Sequence, residues 1–490
     1  MIPRSRLLDL DRLSLAQRQA VLAEDGPLLI VAGPGSGKTT VLAARIAYVI
    51  VARRVAPASV LALTFAARAS RDLRTRLEHL LGDAAQEVTV STFHAFGLRI
   101  VRRWSEGLGF EPGPLAVYDA DDARVLLREA TQRLRLNVWG RSTSELVEKV
   151  ACARLRSDDP SVSTQIRELA TAYEQCLLRR RAIDFPGMLV MPLRLFTARP
   201  DILRLLQDSY SCVVCDEFQD VCAPQYELLR QLAARHRNLA VVGDPCQAVF
   251  GWRGADVRFL LDFAQDFPDA QRIDLTQNYR STGQIVDVAN VLGVRLAFRP
   301  PLWTTNSDGP PVSLRALADE RAEAAFVASE IGRLLNAGVV GELAHVAVLF
   351  RTNHQATPLA SEFRARGLPY RAQRGICLHP SVDLAISDQG PPAVLLTTIH
   401  GAKGGEWRVV FVVGIEEGLL PHRRALEAER RSACGLDEEL RLLYVAVTRA
   451  QERLYLSHCR TRQVGARREM RYPSRFLRGL RSNNVTQVAA

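Results

Sequence analysis

The stretch "LLIVAGPGSGKTTVLAARIAYVI" constrains the fold of this chain more strongly than any other part of it. An apolar run leads into "GPGSGKTT", which fits the pattern G-x-x-x-x-G-K-[ST], and a helical pattern follows. In that context backbone N–H groups surround phosphate oxygens, Lys38 reaches the outer phosphates and the Thr39 hydroxyl can bind Mg²⁺. The sequence therefore predicts a nucleotide-binding loop between a strand and a helix, and not an ordinary glycine turn.

The remainder of the chain alternates apolar runs with helical patterns, which indicates an α/β fold. "LLIVAG" and "VLALTF" each precede a helical stretch, and "SCVVCDE" and "NLAVVGD" supply later strands. This order is typical of βα units that build a parallel sheet. Between about His94 and Asp184 the strand patterns give way to amphipathic, arginine-rich helices. The middle block is therefore predicted to be a helical insertion into one α/β domain.

A second α/β segment begins near residue 281, with "HVAVLFRT", "AVLLTTIH" and "VVFVVGI" as buried strands. The predicted domains are a first lobe (1–94 and 185–280), the insertion (95–184), a second lobe (281–465) and a basic tail (466–490). The connector "GICLHPSVDLAISDQGPP" is too short to form another domain. The tail is expected to be a solvated, partly disordered end, or to touch nucleic acid.

Length and charge narrow the class of protein. The chain has 490 residues and a net charge of +11, which suits a polyanionic partner. Its longest apolar runs are far shorter than the ~18 to 20 residues that a membrane span needs. Its nine cysteines have no regular spacing, which favours reduced thiols over a disulfide framework. We therefore expect a soluble, cytoplasmic protein with no membrane partner.

Two details of cysteine and lysine use bear on possible sites. Cys212, Cys215 and Cys222 are close in sequence, but no fourth ligand follows at zinc-like spacing, so buried thiols are favoured over a metal site. Almost every basic residue is arginine, and codon bias explains that preference. Two of the three lysines, Lys38 and Lys403, nevertheless lie inside "GPGSGKTT" and "IHGAKGGEW", which indicates that those sites need a compact ammonium group.

Two acids come directly after an apolar strand in "VVCDEFQD". The end of a parallel strand projects such residues into the crevice of the sheet. Asp216 is predicted to hold Mg²⁺, and Glu217 to orient or deprotonate an attacking water. The alternative is a pair of solvated loop acids.

Arg280 in "LTQNYRST" and Arg449 in "LRLLYVAVTRAQERL" lie among apolar or uncharged residues, at what the pattern suggests are the starts of helices. Burial of a guanidinium costs several kcal/mol unless an anion meets it. Either a γ-phosphate or a nearby carboxylate could be that anion, and the residues alone favour the carboxylate.

The order of the motifs resembles that of superfamily 1 DNA helicases of the UvrD/Rep/PcrA type. The resemblance runs from about Leu13 to Arg460, through "LSLAQRQAV", "AGPGSGKTT", "LALTFAARAS", "STFHAFGLRI", "IDFPGML", "VVCDEFQD", "VVGDPCQAVFGWRGA", "LTQNYRST", "TTIHGAKGGEW" and "LLYVAVTRA". It implies two RecA-like phosphate-loop lobes that use ATP and Mg²⁺. Ten ordered motifs are far more specific than one phosphate loop.

The resemblance also implies roles for individual residues. Gln17 and Tyr279 would hold the adenine, and Glu406 would meet the ribose. Gln247 would sense the γ-phosphate, while Arg280 and Arg449 would contact it. Asp216 and Thr39 would hold the metal. The loop residues implied in nucleotide binding are Gly33, Gly35, Ser36, Gly37, Lys38, Thr39 and Thr40.

The loop "VVGDPCQAVFGWRGA" places aromatic residues a few positions after Gln247. Phe250 and Trp252 can stack on unpaired bases, which tolerates any base sequence. Phe65, Phe93, His94 and His400 are further candidates for contact with DNA, although packing in the core is an equal alternative for Phe93.

Several positions depart from the family pattern. Ala66-Ala67-Arg68 replaces Thr-Asn-Lys, so hydrogen bonds to the DNA backbone are expected to be lost. Thr40 stands where many relatives carry an arginine that helps to sandwich the adenine, so base preference is expected to be looser. The second lobe lacks the long helical insertion of relatives. The resemblance therefore supports ATP-driven translocation more strongly than strand separation.

The leading hypothesis is an ATP hydrolase that moves 3′ to 5′ on single-stranded or tailed duplex DNA, in repair or replication. The alternative is a nucleotide-gated DNA-binding subunit of a larger repair, nuclease or defence complex, with a protein partner. An unrelated phosphate-loop kinase would leave the aromatic loop and both arginines unexplained.

Overall fold

The structure is a computed structural model that describes residues 10–110, 113–134, 143–155, 162–296, 300–373, 392–429, 434–464, 467–480 and 485–489. The chain forms two compact units. The first comprises Met1–Val31, Lys38–Asp244 and Phe250–Asp274, and the second Ala32–Gly37, Pro245–Val249 and Leu275–Ala490. The predicted connector in the second lobe lies outside the described residues, apart from its last proline.

The first unit is an α/β domain. Its strands are β1 (Leu28–Ala32), β2 (Val60–Thr64), β3 (Thr89–Thr92), β4 (Ala116–Val117), β5 (Ala182–Ile183), β6 (Cys212–Cys215), β7 (Leu239–Gly243) and β8 (Gln271–Leu275). Its helices are α1 (Leu15–Leu22), α2 (Lys38–Val51), α3 (Ala67–Leu81), α4 (Phe93–Arg103), α5 (Ala120–Arg133), α6 (Thr143–Leu155), α7 (Thr164–Arg179), α8 (Phe185–Ala198), α9 (Pro200–Ser209), α10 (Ala223–Ala233), α11 (Arg258–Leu261) and α12 (Phe263–Asp266).

Six of these strands form one sheet in the order β3-β2-β6-β7-β1-β8. The pairs from β3 through to β1 are parallel. Every residue of β1, β2, β6 and β7 is buried, as expected where helices cover both faces of a parallel sheet. Because these strands are parallel, the phosphate loop after β1 and the acids after β6 leave the sheet at the same edge.

The predicted helical insertion has a core of its own. Residues of α5, α6 and α7 pack together, among them Leu126, Val150, Leu169 and Tyr173. The only strands between His94 and Asp184 in the described chain are the two-residue β4 and β5, which pair with each other. The domain boundaries themselves stay a prediction.

The second unit is a second α/β domain. Its strands are β9 (Val312–Leu317), β10 (Val346–Phe350), β11 (Tyr370–Ala372), β12 (Val394–Thr398), β13 (Trp407–Val412), β14 (Ala450–Cys459), β15 (Thr461–Val464), β16 (Arg467–Met470) and β17 (Val485–Ala489). Its helices are α13 (Gly283–Val294), α14 (Glu320–Asn336), α15 (Ala356–Ala365), α16 (Arg423–Glu429) and α17 (Cys434–Val447). Seven strands form a parallel sheet in the order β11-β12-β10-β13-β14-β9-β17. Two parallel sheets flanked by helices confirm the predicted α/β class.

Two expectations from the sequence differ from the structure. Arg449 does not begin a helix: it lies between the end of α17 at Val447 and the start of β14 at Ala450. The tail is also more ordered than a solvated end, because β16 pairs with β15 and β17 adds a parallel strand beside β9. In the described part of the chain, no helix is long and apolar enough to cross a membrane.

Candidate nucleotide site and aromatic cluster

The phosphate loop adopts a conformation that depends on its glycines. Gly35 and Gly37 have φ angles of +67° and +80°, in the left-handed region that glycine enters at little cost. A Cβ atom on Gly35 would lie 2.6 Å from the Cβ atom of Arg280. The Ser36 hydroxyl donates to the Gly33 carbonyl over 2.7 Å, which closes the turn before Lys38.

The segment after β8 is hydrogen-bonded to this loop. Gly33 N–H donates to the Leu275 carbonyl over 3.1 Å, and Tyr279 N–H donates to the Gly35 carbonyl over 2.8 Å. The Asn278 amide donates to the Pro34 carbonyl over 2.8 Å. These bonds place the half-exposed ring of Tyr279 and the Arg280 backbone beside the phosphate loop, and the predicted roles of both residues stay predictions.

The two acids after β6 lie in a buried part of the first unit. Burial, together with the negative charge of Glu217, raises the pKa of Asp216 to about 7, against the opposing effects of the Glu217 N–H hydrogen bond and the charge of Lys38. Lys38 is the first residue of α2, where the helix dipole also favours anions. An acidic pair at this position is destabilised by its own burial, and a bound cation would relieve that cost.

Glu217 has an unusual backbone conformation, with a φ angle of +52°. Left-handed backbone costs a non-glycine residue ~1 kcal/mol or more, so the surroundings must hold it there. The Glu217 N–H donates to the Asp216 carboxylate over 2.8 Å. The buried Gln219 amide donates to the Glu217 carboxylate, and its oxygen accepts from the Asp244 N–H over 2.9 Å.

Gln219 therefore connects the acid at the end of β6 with the end of β7. A Cβ atom on Gly243 would lie 2.8 Å from the Gln219 oxygen, so the glycine leaves room for this bond. Sequence reasoning missed Gln219. Its position between two acids in "DEFQD" could have marked it as a candidate, but nothing in the sequence shows that the Gln219 side chain faces β7.

In the second unit, Gln247 and Arg449 form a buried pair. Arg449 Nη2 donates to Gln247 Oε1 over 3.1 Å, and its Nε and Nη1 donate to the carbonyls of Val445 and Gly405. The Lys403 ammonium donates to the Gln247 carbonyl over 2.7 Å. Lys403 thus fixes the backbone of the predicted γ-phosphate sensor, and the predicted need for a compact ammonium in "IHGAKGGEW" stays a prediction.

Arg280 is paired with Glu406. Its guanidinium donates to the Glu406 carboxylate over 2.6 Å and to the Thr448 carbonyl over 2.9 Å. The other carboxylate oxygen accepts from the Gln451 amide. The sequence left a carboxylate partner and a γ-phosphate open as alternatives for Arg280, and the structure contains the carboxylate partner. The two predicted roles, phosphate contact for Arg280 and ribose contact for Glu406, stay predictions.

Gln17 lies in the first turn of α1, where its side chain also stabilises the start of the helix. Its side-chain oxygen accepts from the Ser14 N–H over 3.0 Å, and the Ser14 hydroxyl accepts from the Gln17 N–H. This reciprocal capping box holds the start of α1. In the first turn of α2, Thr39 is half-buried and Thr40 is exposed.

Four side chains of the first unit form a cluster that we call the aromatic ladder: Phe65, Phe250, Arg253 and Trp252. The rings of Phe65 and Phe250 are stacked with centroids 5.4 Å apart. The Arg253 guanidinium lies over both Phe250 and Trp252, at 5.3 Å and 4.6 Å from the ring centroids. Trp252 keeps 60% of its surface exposed, whereas Phe250 is buried. The glycine-bounded loop thus exposes the Trp252 ring to solvent, and the stacked side chains of Arg253, Phe250 and Phe65 support it.

Of the other predicted DNA-contacting residues, Phe93 is buried in the core, whereas His94 and His400 are half-buried. Phe93 has 1% of its surface exposed and packs in the core with Ile100, so we leave it out of the proposed DNA-binding set. His94 meets the exposed ring of Phe185 edge-on, and burial lowers its pKa. His400 in the second unit is half-buried.

The cysteines behave as buried thiols, as the sequence favours. Cys212, Cys215 and Cys222 are buried and form no disulfide within the described chain, and burial raises the pKa of Cys212 to about 11. Among the described residues, the one group with the spacing of metal ligands is Glu323, Glu416 and Cys459. The Arg462 guanidinium binds both of its carboxylates, so this group is a buried ion-pair cluster.

Comparison with known proteins supports the same interpretation as the geometry. Residues 13–268 match the UvrD/REP helicase N-terminal domain, and residues 273–379 and 374–461 match the UvrD-like helicase C-terminal domain. ATP-dependent DNA helicase PcrA of Staphylococcus aureus strain Mu50 is 28% identical over 96% of this chain and 86% of its own length. PcrA of Staphylococcus epidermidis strain RP62A is 27% identical over 94% of this chain and 85% of its own length.

The chain belongs to the UvrD/Rep family of ATP-dependent DNA helicases. Its alignment with the first of these relatives covers 635 positions, although the chain has only 490 residues. The relative therefore contains segments that this chain lacks. The C-terminal family match is in two pieces that meet at 374–379, which is the position where the sequence predicts a missing insertion.

Proposed function

We propose that this protein is a Mg²⁺-dependent ATPase that moves 3′ to 5′ along single-stranded DNA and opens duplexes in DNA repair or replication. The observation that carries the proposal is the set Lys38, Asp216 and Glu217 at one edge of the first parallel sheet. The relatives named PcrA are ATP-dependent DNA helicases, which supports the same activity here.

The residues of the first unit fit the chemistry of phosphoanhydride hydrolysis. Thr39 and Asp216 would hold Mg²⁺, which would neutralise charge on the β- and γ-phosphates. The buried Asp216 carboxylate, with its raised pKa, fits a cation site. Glu217, fixed by Gln219, would orient the attacking water and accept its proton.

The residues of the second unit fit recognition of the γ-phosphate. Gln247 is held through its carbonyl by Lys403 and through its side-chain oxygen by Arg449. Loss of the γ-phosphate would remove a charged partner from Arg449 and Gln247 together. Because Gln247 lies three residues before Phe250, its shift would reach the aromatic ladder, which would couple hydrolysis to the grip on DNA.

Trp252→Ala tests the DNA-binding role of the aromatic ladder. We expect it to weaken binding of a single-stranded oligothymidine ~5- to 150-fold, since stacking on an aromatic side chain contributes ~1 to 3 kcal/mol per base. Fluorescence anisotropy with a labelled oligonucleotide measures this loss. Leu205→Ala, at another exposed apolar residue of the first unit, should bind like the wild type. Equal affinity of Trp252→Ala and wild type would remove Trp252 from the proposed interface.

Polarity and unwinding need a separate measurement. We expect the protein and ATP to displace streptavidin from a biotin at the 5′ end of single-stranded DNA, and not from the 3′ end. Duplexes with a 3′ tail should be unwound in preference to those with a 5′ tail. The opposite preference would contradict the proposed 3′ to 5′ direction.

Two observations favour a second function, that of a nucleotide-gated DNA-binding subunit. The chain lacks segments that the first of these relatives contains, and Ala66-Ala67-Arg68 stands where the resemblance to the family implies Thr-Asn-Lys. In that case the isolated chain would bind DNA and ATP but unwind little. Native mass spectrometry of protein purified from its own cells distinguishes the two functions. A subunit would be found bound to a stable partner, whereas an independent motor would be found without one.

A further inference from the structure

A groove of about 1010 Å³ lies in the first unit, between α8, α10 and the α11–α12 segment. We call it the α8–α12 groove. Its lining includes the apolar side chains of Val190, Leu193, Pro224 and Phe259, and the Phe259 ring is half-buried. None of the predicted ATP- or DNA-contacting residues is among the described residues that line it. The proposed reaction therefore does not account for this groove.

The α8–α12 groove carries two carboxylates that form no ion pair in the described chain. Asp262 and Asp266 both line it and are exposed. Asp262 immediately precedes α12 and Asp266 ends it, so they lie one helical turn apart. The Asp262 carboxylate accepts from the Gln265 amide over 3.1 Å, and the Asp266 carboxylate accepts from the Tyr226 hydroxyl. Like charges at this spacing repel each other, so a cation bound beside them would be stabilising.

The remaining charges of the groove are already neutralised. Each of the other charged side chains in its lining has a partner of opposite charge: Glu227 with Arg230, Asp256 with Arg258, Arg194 with Glu174, and Arg154 with Asp184. The uncompensated charge of the groove is therefore negative, although the chain as a whole carries a net charge of +11. Negative charge repels DNA and attracts a basic protein segment.

The Arg154 guanidinium, which also lines the groove, has donors without acceptors. Its Nη1 donates to the Asp184 carboxylate over 2.7 Å, and its Nε lies 3.8 Å from the Glu174 carboxylate. Neither Nε nor Nη2 makes a hydrogen bond with any described group, and both atoms are buried. A buried donor without an acceptor is destabilising. A carbonyl oxygen of a segment bound in the groove would supply an acceptor.

We propose that the α8–α12 groove binds a basic segment of a partner protein. Arginine or lysine side chains of this segment would pair with Asp262 and Asp266. An apolar side chain would pack against Leu193 and Phe259, and a backbone carbonyl would accept from Arg154. Apolar contact surrounded by charged contacts is the usual arrangement of a protein–protein interface.

The position of the groove would bring the partner next to the aromatic ladder. Gly254 and Asp256 line the groove, and they follow Arg253 of the ladder in the chain. Trp252 is not among the described residues of the lining. A docked segment would therefore contact the chain beside the ladder and leave the exposed Trp252 ring free for DNA.

The test uses a fluorescein-labelled short peptide of alternating leucine and arginine as the probe. Fluorescence anisotropy should show that it binds the wild type, and that the double variant Asp262→Asn/Asp266→Asn binds it ~5- to 30-fold more weakly, the effect of two exposed ion pairs lost together. Asp83→Asn/Glu87→Gln is the matched control, because it neutralises two exposed acids at the same spacing outside the groove. This control should bind the peptide like the wild type.

Two further measurements separate docking from other causes. Asp262→Asn/Asp266→Asn should bind oligothymidine and hydrolyse ATP like the wild type, which would show that the variant is folded. The same peptide with glutamate in place of arginine should not bind the wild type. No binding of the basic peptide, equal binding of both peptides, or equal affinity of wild type and double variant would overturn the proposal. A wild-type dimer that the double variant dissolves, measured by sedimentation velocity, would assign the groove to a second copy of the chain and would also overturn it.

Discussion

Replacement of Lys38 by alanine should lower the rate of DNA-stimulated ATP hydrolysis by ~10²- to 10³-fold, as expected when one group that stabilises transition-state charge is removed. Lys38 begins α2 directly after the phosphate loop, where its ammonium can follow the phosphates into the transition state. Lys38→Arg should also be severely impaired, because a guanidinium is larger and planar. Steady-state hydrolysis at saturating ATP and DNA measures both losses.

Lys149 offers a matched control for Lys38. It lies on α6 in a partly exposed ion pair with Glu145 at 3.1 Å, and exposed pairs of this kind contribute ~1 kcal/mol or less to stability. Lys149→Ala and Lys149→Arg should therefore hydrolyse ATP like the wild type. Circular dichroism should show all four variants folded. A folded Lys38→Ala protein with wild-type hydrolysis would contradict the nucleotide-binding role of the loop.

Glu217→Gln should lower turnover by ~10²- to 10⁴-fold, the usual contribution of a positioned general base. The amide keeps the size of the side chain but cannot accept the proton of the attacking water. ATP binding should survive, because Lys38 and the phosphate loop remain. The variant should therefore bind a fluorescent ATP analogue with near wild-type affinity in a filter or anisotropy assay, while it hydrolyses almost none.

Glu227→Gln is the control for this prediction, since Glu227 is a partly buried acid of the same unit that pairs with Arg230. It should retain wild-type turnover. Hydrolysis by Glu217→Gln at a near wild-type rate would remove Glu217 from the mechanism. Loss of ATP binding together with hydrolysis would instead point to a defect in the phosphate loop.

The strands that carry the site could be predicted because they are buried on both faces. In a chain whose strands alternate with helices, continuous apolar runs such as those of β1, β6 and β10 indicate strands of a parallel sheet that helices cover on both faces. The phosphate-loop pattern after β1 and the two acids after β6 marked Lys38, Asp216 and Glu217 as candidates, and their roles stay predictions. The weaker patterns of β8 and β9 did not reveal strands, because both strands carry exposed or half-buried residues.

Contacts between distant parts of the chain could not be predicted. Gln219 bonds to Asp244, 25 positions away in sequence, and Lys403 bonds to Gln247, 156 positions away. Arg76 reaches Thr40 from 36 positions away. Phe93 was ambiguous for a related reason: the sequence shows an aromatic residue after a strand, but only the packing of α4 decides whether its ring is buried.

The most direct test of the central claim is steady-state ATP hydrolysis by the purified wild-type chain, with and without single-stranded DNA. An efficient translocase hydrolyses ATP mainly while it is bound to DNA. We therefore predict a low basal rate of hydrolysis and strong stimulation by single-stranded DNA. Negligible hydrolysis by folded protein under both conditions would contradict this account and would favour a DNA-binding subunit that needs its partner.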